Sequence, residues 1–241
     1  MSTNIVIIPT YNEKENVEAI IRKVMSLPIS FEILIVDDNS PDGTANIVKQ
    51  LQLEFTDKVH LLQRMEKNGL GTAYIAGFKW CLERSYKFIF EMDADFSHNP
   101  DDLIKLLDAC ENQGAGLAVG SRYITGVNVV NWPMSRVIMS YYASVYVRFI
   151  TGMTIRDATA GFVCYTRETL DKINLDKIKF KGYAFQIEMK FKAWLQKVKI
   201  IEVPIIFTDR TLGTSKMSKK IFREAFFGVI ELKINSWFIK K

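Results

Sequence analysis

The sequence predicts an α/β protein built on an open, mostly parallel β-sheet flanked by helices. Short apolar runs typical of buried strands alternate, through the first half of the chain, with segments whose apolar residues recur at helical spacing. Regular alternation of strand and helix is typical of parallel sheets with crossover helices. The 241 residues are 48% hydrophobic and 24% charged, a globular composition, and one domain is the simplest organisation.

Five strands are predicted in the first half of the chain, at residues 5–8, 33–36, 59–62, 88–90 and 117–119. The first helix is predicted to start at Asn12, an N-cap residue with Glu15 three positions later. Ser40 and Pro41 are predicted as the N-cap and first residue of the second helix. The other two helices of this half are expected at 72–82 and 100–110.

The alternation is less regular after Arg122. Helices are predicted at 137–150 and 185–195, and a short strand at 162–165. Residues 200–207 are strand-like, but Pro204 lacks a backbone donor and therefore indicates a sheet edge or a bulge. Residues 221–239 predict an amphipathic helix with its few polar side chains in a narrow arc. We expect a main domain over 1–217 and a basic C-terminal helix over 218–241.

Positive charge is concentrated at the C-terminus. Residues 210–241 contain eight Lys or Arg and two Glu, a net charge of +6, so the total of +5 leaves residues 1–209 at −1. This concentration of charge differs from the evenly spread basic residues of a nucleic-acid-binding groove, so no nucleic-acid partner is expected. Trp237 and the flanking lysines resemble an interfacial anchor, which favours a membrane surface over a helix packed in the core. Three cysteines without paired spacing predict reduced thiols and a cytoplasmic location, and no spanning helix is predicted.

Acidic residues follow three of the predicted strands. Glu13 follows the first, Asp37 and Asp38 follow the second, and Asp93 and Asp95 follow the fourth. Ligands of open parallel sheets bind at the carboxyl ends of the strands, so these carboxylates are candidates for one site. An Asp-x-Asp pair offers hard oxygen ligands to Mg²⁺ or Mn²⁺ held together with substrate phosphates. Taken alone, the pair could equally begin a loop.

Several nucleotide-binding motifs are absent from the sequence. There is no G-x-G-x-x-G after the first strand and no P-loop, which argues against a Rossmann dehydrogenase and a P-loop NTPase. Gly69-Leu-Gly71-Thr72 precedes a helix and could approach a phosphate or form a tight turn. His60 lies within a strand and is interpreted as structural, whereas His98 lies in a polar loop and could contact a ligand.

A set of longer motifs follows in order along most of the chain. They are Pro9-Thr-Tyr-Asn-Glu13, Val36-Asp-Asp-Asn-Ser-Pro-Asp-Gly-Thr44, Gly69-Leu-Gly-Thr-Ala-Tyr-Ile-Ala-Gly-Phe-Lys79, Asp93-Ala-Asp-Phe-Ser-His98, Gly120-Ser-Arg-Tyr123, Asp157-Ala-Thr-Ala-Gly-Phe162, Gly182-Tyr-Ala-Phe-Gln186, and Glu202-Val-Pro-Ile205 leading into Asp209-Arg210. As a set they resemble the dolichyl-phosphate (polyprenol-phosphate) mannose synthases, inverting GT-A glycosyltransferases of family two. The resemblance runs from Pro9 to Lys216 and implies a single GT-A (Rossmann-like) domain.

The resemblance also implies roles for matching residues. Those implied to hold the nucleotide are Pro9, Tyr11, Glu13, Asp37 and Asp38. Those implied to serve the metal and diphosphate are Asp93, Ala94 and Asp95, with Asp95 central to catalysis. Ser97 stands where some relatives have a further metal ligand and is a weaker one. Arg122 and Arg136 are implied to meet the acceptor phosphate as catalytic orienters, and Arg210 and Lys216 to close over the diphosphate.

The implied reaction is metal-dependent, inverting transfer of mannose from GDP-mannose to a polyprenyl or dolichyl phosphate, at the cytosolic face of a membrane. A phosphate monoester has a second pKa of about 6 and is a nucleophile without a general base, in keeping with the lack of a candidate histidine base. One alternative is a UDP-sugar-dependent hexosyltransferase. A second alternative is a haloacid-dehalogenase-type phosphatase. That class needs a second Asp two residues after the first, but Asn39 occupies this position after Asp37. A third is a non-catalytic relative, which the intact Asp93 and Asp95 disfavour. The sequence does not indicate the oligomeric state.

Overall fold

The fold is described here from a computed structural model, over residues 2–182, 184–210 and 219–237, with the backbone alone for 219–225. Its strands are β1 (Asn4–Thr10), β2 (Glu32–Asp37), β3 (Val59–Gln63), β4 (Phe88–Glu91), β5 (Leu117–Ser121), β6 (Val129–Val130), β7 (Val163–Thr166), β8 (Ile200–Pro204) and β9 (Phe207–Thr208). Its α-helices are α1 (Val17–Met25), α2 (Thr44–Glu54), α3 (Leu70–Leu82), α4 (Leu103–Glu111), α5 (Met134–Thr151), α6 (Arg167–Lys172), α7 (Ala184–Leu195) and α8 (Lys219–Ser236).

Seven strands form the main sheet in the order β3-β2-β1-β4-β7-β5-β8, which confirms the predicted open, mostly parallel sheet. Neighbouring strands are parallel except at β7, which runs antiparallel between β4 and β5. The carboxyl ends of β2, β1 and β4 therefore lie side by side at one edge. The interruption predicted at Pro204 is also observed, because β8 ends there as the last strand of the sheet, and β9 pairs with β6 in a separate ribbon.

Helices cover both faces of the sheet. Apolar residues of α1, α2 and α4 share one core with the sheet, and those of α3, α6 and α7 share the core on the opposite face. A third cluster joins α5, α7 and α8, so α7 is covered on two sides. Nine of the twelve α7 residues are buried, including the polar Gln186, Glu188 and Lys190.

The first helix begins later than predicted. Asn16, and not Asn12, is the N-cap residue of α1, and Asn12 has a left-handed backbone with a φ of 56°. Residues between β1 and α1 form a turn in which the Glu13 carbonyl accepts hydrogen bonds from Asn16 N at 3.0 Å and Val17 N at 2.9 Å. A capping motif does not reveal how many residues a preceding turn needs before the helix can start.

The second helix also begins later than predicted. It starts at Thr44 after Gly43, whose φ is 91°, and not at Ser40. The Ser40 amide and hydroxyl both bind the Asp37 carboxylate, at 2.9 and 2.6 Å, so they are used at the end of β2. Asp42 binds the Thr44 amide instead, at 3.0 Å, in the turn before the helix.

The C-terminal helix α8 packs against the domain by part of its surface. Val229 and Leu232 are buried with Ile187 and Phe191 of α7, while Trp237 at the end of the helix is 71% exposed. Packing in the core is therefore observed for one face of the helix, and the membrane contact of the exposed face stays a prediction. The predicted boundary between 217 and 218 lies outside the described residues. Across the described residues, no helix combines the length and apolar character that crossing a membrane requires.

Candidate active site

Three of the acidic strand ends lie at the same edge of the sheet. Glu13 follows β1, Asp38 follows β2, and Asp93 and Asp95 follow β4, and these three strands are adjacent. Glu13 is buried, its Oε2 accepts a hydrogen bond from Asn16 Nδ2 at 3.0 Å, and its amide donates to Thr44 Oγ1 at 3.1 Å. Glu13 thus ties the β1 loop to the start of α2.

Asp37 holds the loop at the end of β2. It is fully buried, and its carboxylate accepts three hydrogen bonds, from Thr10 Oγ1 at 2.9 Å and from the Ser40 hydroxyl and amide. This environment argues against the phosphatase alternative, because a carboxylate that is fully buried and already hydrogen-bonded is a poor nucleophile. The predicted contact of Asp37 with the nucleotide stays a prediction.

Asp38 has a cationic neighbour that sequence reasoning missed. Arg64 Nη1 lies 3.1 Å from Asp38 Oδ1, and Arg64 Nη2 donates to Thr72 Oγ1 at 2.7 Å. Burial raises the pKa of Asp38, an effect that the Arg64 charge opposes and the neighbouring Asp37 reinforces. Arg64 directly follows β3, so the same strand-end reasoning that found the aspartates could have found it.

Pro9 near the end of β1 and Tyr11 directly after that strand lie at the same edge of the sheet. Both are half-buried, and Lys67 Nζ lies 4.1 Å from the centre of the Tyr11 ring. Lys67 belongs to the loop that follows β3, as Arg64 does, and was likewise missed. An aromatic ring and two cations beside Asp38 suit a base and its attached phosphates.

The loop after β4 contains the Asp-x-Asp pair. Asp95 is buried, its Oδ1 accepts the Ser97 amide at 3.1 Å, and its Oδ2 lies 2.8 Å from Arg210 Nη2. The Asp93 side chain is 38% exposed, while Ala94 and Ser97 are buried. Ser97 contacts Asp95 through its backbone, and its predicted role as a metal ligand stays a prediction.

His98 supports this loop. It is buried, its ring stacks on Phe162 at a centroid distance of 4.9 Å, and its Nδ1 accepts the Asp93 amide at 3.2 Å. Burial lowers the pKa of His98 and favours its neutral ring, and the hydrogen bond accepted at Nδ1 corresponds to the tautomer with its proton on Nε2. His98 therefore positions the backbone of Asp93, and a ligand contact is not needed to explain it.

The acidic loop fits a hard divalent cation that is shared with a substrate. Within the described part of the chain, no group of three or more His, Cys, Asp or Glu side chains could hold a metal ion by protein ligands alone. Two carboxylates, Asp93 and Asp95, are a donor set typical of Mg²⁺ or Mn²⁺ that keeps its other positions for water and phosphate oxygens. The guanidinium of Arg210 shows that positive charge is already accommodated beside Asp95.

Arg122 is held by a buried carboxylate. Its Nε and Nη2 bind Asp157 Oδ2 and Oδ1 at 2.7 and 2.6 Å, and Nη2 also donates to Thr159 Oγ1 at 2.8 Å. Asp157 is fully buried, which alone would raise its pKa, but the Arg122 charge and hydrogen bonds outweigh burial and lower it. The two residues are 35 positions apart, and no local pattern in the sequence links them.

Arg136 lies in the first turn of α5 and shares an aromatic neighbour with Arg122. Its Nη1 is 2.9 Å from both carboxylate oxygens of Asp209, and its guanidinium carbon is 4.0 Å from the centre of the Trp132 ring. The guanidinium carbon of Arg122 is 5.4 Å from the same ring. The structure therefore brings the two predicted acceptor arginines to one indole, a residue that sequence reasoning missed. Lys216, predicted to close over the diphosphate with Arg210, lies outside the described residues.

The Gly69-Leu-Gly71 segment contacts the protein's own chain. Gly69 has a φ of 104°, and a Cβ added there would lie 2.8 Å from the Lys181 carbonyl oxygen. A Cβ at Gly71 would lie 2.7 Å from Phe185 Cγ. These glycines allow the start of α3 to approach the start of α7, which favours close packing over the phosphate-binding alternative.

Comparison with known proteins identifies relatives of this chain. Residues 5–173 match the family model described as Glycosyl transferase family 2. The chain is 49% identical over 227 residues to "Polyprenol monophosphomannose synthase" of Mycolicibacterium smegmatis, covering 94% of this chain and 85% of the relative. It is 45% identical over 223 residues to "Undecaprenyl-phosphate mannosyltransferase" of Micrococcus luteus, covering 92% and 90%.

Solved structures share the fold at low sequence identity. Glucosyl-3-phosphoglycerate synthase of Mycobacterium tuberculosis, in complex with Mn²⁺, UDP and its product, has a TM-score of 0.68 and 15% identity over 99% of this chain and 81% of that one. A mannosyltransferase of Pyrobaculum calidifontis, in complex with GDP-Man and Mn²⁺, has a TM-score of 0.61 and 14% identity over 98% and 71%. The predicted single GT-A domain and the resemblance drawn from the motifs are both confirmed. The chain is a glycosyltransferase, and it belongs to glycosyltransferase family 2.

Proposed function

We propose that this enzyme transfers mannose from GDP-mannose to a polyprenyl phosphate, with inversion, using Mg²⁺ or Mn²⁺ at a membrane surface. Two relatives with identities of 49% and 45% have names that denote polyprenol-phosphate mannose transfer. A more distant fold neighbour is a mannosyltransferase in complex with GDP-Man and Mn²⁺. The residues of the candidate site support the same reaction.

The observation that carries the proposal is one short segment, Phe207 to Arg210. Two of its side chains contact the arginines: the Phe207 ring centre is 5.6 Å from the Arg122 guanidinium carbon, and Asp209 binds Arg136. The same segment contacts the acidic loop: the Phe207 ring centre is 5.4 Å from that of His98, the Thr208 amide donates to the Ser97 carbonyl at 3.2 Å, and Arg210 pairs with Asp95. The segment therefore joins a cation-binding loop to an anion-binding arginine pair.

The proposed reaction uses these two groups of residues in different ways. A divalent cation, when bound, would neutralise charge that develops on the departing diphosphate. Asp93 and Asp95 would hold it, and Arg210 would add positive charge at the same place. Arg122 and Arg136 would orient the acceptor phosphate, an oxyanion at neutral pH since its second pKa is about 6. That oxygen attacks the sugar C1 as the bond from C1 to the diphosphate breaks, and no protein base is required.

Exposed apolar side chains on α5 support docking of the domain on a membrane. They are Met134, Ile138, Met139, Tyr141, Tyr142 and Phe149. None of the exposed residues of α5 is charged. Arg136 lies in the first turn of the same helix, so this surface adjoins the acceptor arginines. Sequence reasoning looked for a membrane surface in the C-terminal helix and missed α5.

The helix α8 adds to this surface. Tyr146 of α5 stacks on Phe226 of α8 at a centroid distance of 4.7 Å, and its hydroxyl donates to the Phe226 carbonyl at 2.8 Å. Phe227, Ile230 and Trp237 are exposed along α8. Apolar side chains flanked by basic residues are typical of helices that lie in a membrane interface. A prenyl chain could remain in the bilayer while its phosphate reaches Arg136.

A turnover assay tests the proposal. The full-length protein is incubated with Mn²⁺ or Mg²⁺, vesicles containing a polyprenyl phosphate, and GDP-mannose, UDP-glucose or UDP-galactose in separate reactions, and lipid products are identified by mass. We expect a mannosyl-phosphate lipid and GDP from GDP-mannose. A hexosyl lipid from a UDP-sugar alone would reassign the donor, and no lipid product from any donor would overturn the proposal.

A further inference from the structure

A buried polar cluster lies behind the acidic loop, between the sheet and α7. Its members are Glu91 at the end of β4 and Gln186 and Lys190 on α7, which are 0%, 2% and 0% exposed. Lys190 Nζ donates to the Ala160 carbonyl at 2.6 Å and to Gln186 Oε1 at 3.1 Å. Gln186 Nε2 in turn donates to Glu91 Oε2. None of these three residues has a role in the reaction proposed above.

The cluster connects the two loops that hold the proposed reactants. Glu91 lies two residues before Asp93, so one end of the hydrogen-bond chain is at the base of the acidic loop. Ala160 follows Thr159, whose hydroxyl accepts from Arg122, so the other end is at the loop that holds an acceptor arginine. The two loops also lie close together, because a Cβ added at Gly161 would contact His98 and Gln186.

The cluster is costly for the fold. Burial lowers the pKa of Lys190, as expected for a charged group removed from water. Apolar residues of similar volume are often neutral or stabilising in place of a buried ion pair. The other buried residues of α7 are apolar except Glu188, whose carboxylate accepts the Lys179 and Phe180 amides. Stability alone therefore does not account for a lysine and a glutamate here.

We propose that Lys190 is a positioning residue that fixes the distance between the acidic loop and the Arg122 loop. The inference rests on the proposed function, because it takes the donor to bind at the first loop and the acceptor phosphate at the second. A misplacement of about 1 Å between reacting groups can cost roughly 10²-fold in rate. Loss of the Lys190 ammonium is therefore expected to slow transfer without weakening donor binding.

The variant Lys190→Met removes the ammonium and keeps the volume of the side chain. We expect kcat for transfer to fall roughly 10²-fold, with the calorimetric Kd for GDP in the presence of Mn²⁺ within about twofold of wild type. Lys192→Met is the matched control, since Lys192 is on the same helix and instead contacts Glu188 at 3.0 Å and the Lys177 carbonyl. The control should leave both quantities unchanged.

Gln186→Met breaks the same hydrogen-bond chain at another link and provides a second test if Lys190→Met does not fold. In the double variant, a shared network predicts that the losses in kcat do not add, whereas independent packing defects add. Wild-type transfer is measured first, because its absence overturns the proposed function. With an active wild type, normal kcat in the single variants, additive losses, or an equal loss of GDP affinity would each overturn the role of Lys190.

Discussion

The proposed donor side and the proposed acceptor side of the site are held together by contacts between residues at different separations in the sequence. On the donor side, from β1 to β4, the aspartates are fixed by their own turns or by an adjacent strand, as Asp95 is by the Ser97 amide and Asp37 by Ser40. On the acceptor side, Arg122 and Arg136 are fixed by carboxylates 35 and 73 residues away. Apart from the Asp95–Arg210 pair, the first of these sides can therefore form as each strand and turn forms, whereas the second exists only after the second half of the chain has folded.

The two sides also differ in how charge is arranged. Each acceptor arginine is paired with a carboxylate, Asp157 or Asp209, which orients the guanidinium before any ligand arrives. A preoriented side chain loses less conformational entropy when it binds a phosphate. On the donor side the Asp93 carboxylate is partly exposed at the strand edge. Substitutions on the donor side should therefore affect chemistry with little effect on stability, and those behind the acceptor arginines should affect stability as well.

The largest effect is expected for the acidic loop. Asp93→Asn and Asp95→Asn should each lower metal-dependent transfer by roughly 10³-fold, equivalent to about 4 kcal/mol in the barrier, because each removes an anionic ligand of a hard cation. The circular dichroism spectrum should be unchanged, because both substitutions lie in a loop and not in a helix or strand. Asp101→Asn, at a surface aspartate paired with Lys23, is the control and should retain activity. Wild-type turnover of either loop variant at saturating Mn²⁺ would refute the metal assignment.

The next largest effect is expected for Asp157→Asn, which leaves Arg122 buried without its ionic partner. We expect the free energy of unfolding at pH 7 to fall by about 3 kcal/mol. Asp209→Asn is the matched control, because the Arg136–Asp209 pair is about 30% exposed and such pairs contribute at most about 1 kcal/mol. Urea unfolding of both variants makes the comparison, and equal losses would show that burial does not distinguish the pairs.

The same pair predicts a pH dependence. The pKa of Asp157 is lowered in the folded protein, so its contribution is present above the unfolded-state pKa of about 4 and is lost as the pH falls through the folded pKa. The difference in stability between wild type and Asp157→Asn should therefore narrow below about pH 4. Urea unfolding at pH 7, 5 and 3.5 measures it, and a constant difference would contradict the ion-pair explanation.

A smaller effect is expected for the acceptor arginines. Arg122→Ala and Arg136→Ala should lower kcat/KM for the lipid phosphate by about 10²-fold, because the nucleophile is no longer held in line. The Kd for GDP with Mn²⁺ should stay near the wild-type value. Arg156→Ala, at an exposed arginine that contacts the Ile124 carbonyl, is the control. Should donor affinity collapse while acceptor use stays normal, these arginines belong to the diphosphate site.

The smallest effect is expected on the membrane face. Tyr142→Asp and Phe149→Asp should each weaken binding to anionic vesicles about fivefold, or about 1 kcal/mol, by removing apolar burial in the interface. Both side chains are largely exposed, so stability should not change, and Leu53→Asp on α2 is the matched exposed control. Salt should weaken binding without abolishing it. Flotation that is equal for all three variants would exclude α5 from the membrane surface.

Most of the first half of the chain could be predicted because its sequence patterns depend on residues close together in the sequence. Apolar runs and helical spacing predicted β1 to β5 and their order of alternation, and residues after strands predicted Asp93 and Asp95. The same reasoning should have included Arg64, which follows β3 just as the aspartates follow their strands. It did not reveal the hydrogen bonds that the hydroxyls of Thr10 and Ser40 donate to the Asp37 carboxylate, because they come from a neighbouring strand and a turn.

The strand and helix periodicity, the acidic strand ends and the motifs of the family are visible in the amino-acid sequence, since each depends on residues a few positions apart. Other features appear only in the folded chain: β7 runs antiparallel between β4 and β5, Asp157 and Asp209 hold the arginines, and α5 exposes an uncharged apolar face. The burial of α7 on two sides, which places Lys190 between the two loops, is also a property of the fold. Pairing and burial depend on which elements become neighbours, and that information is spread over the whole chain.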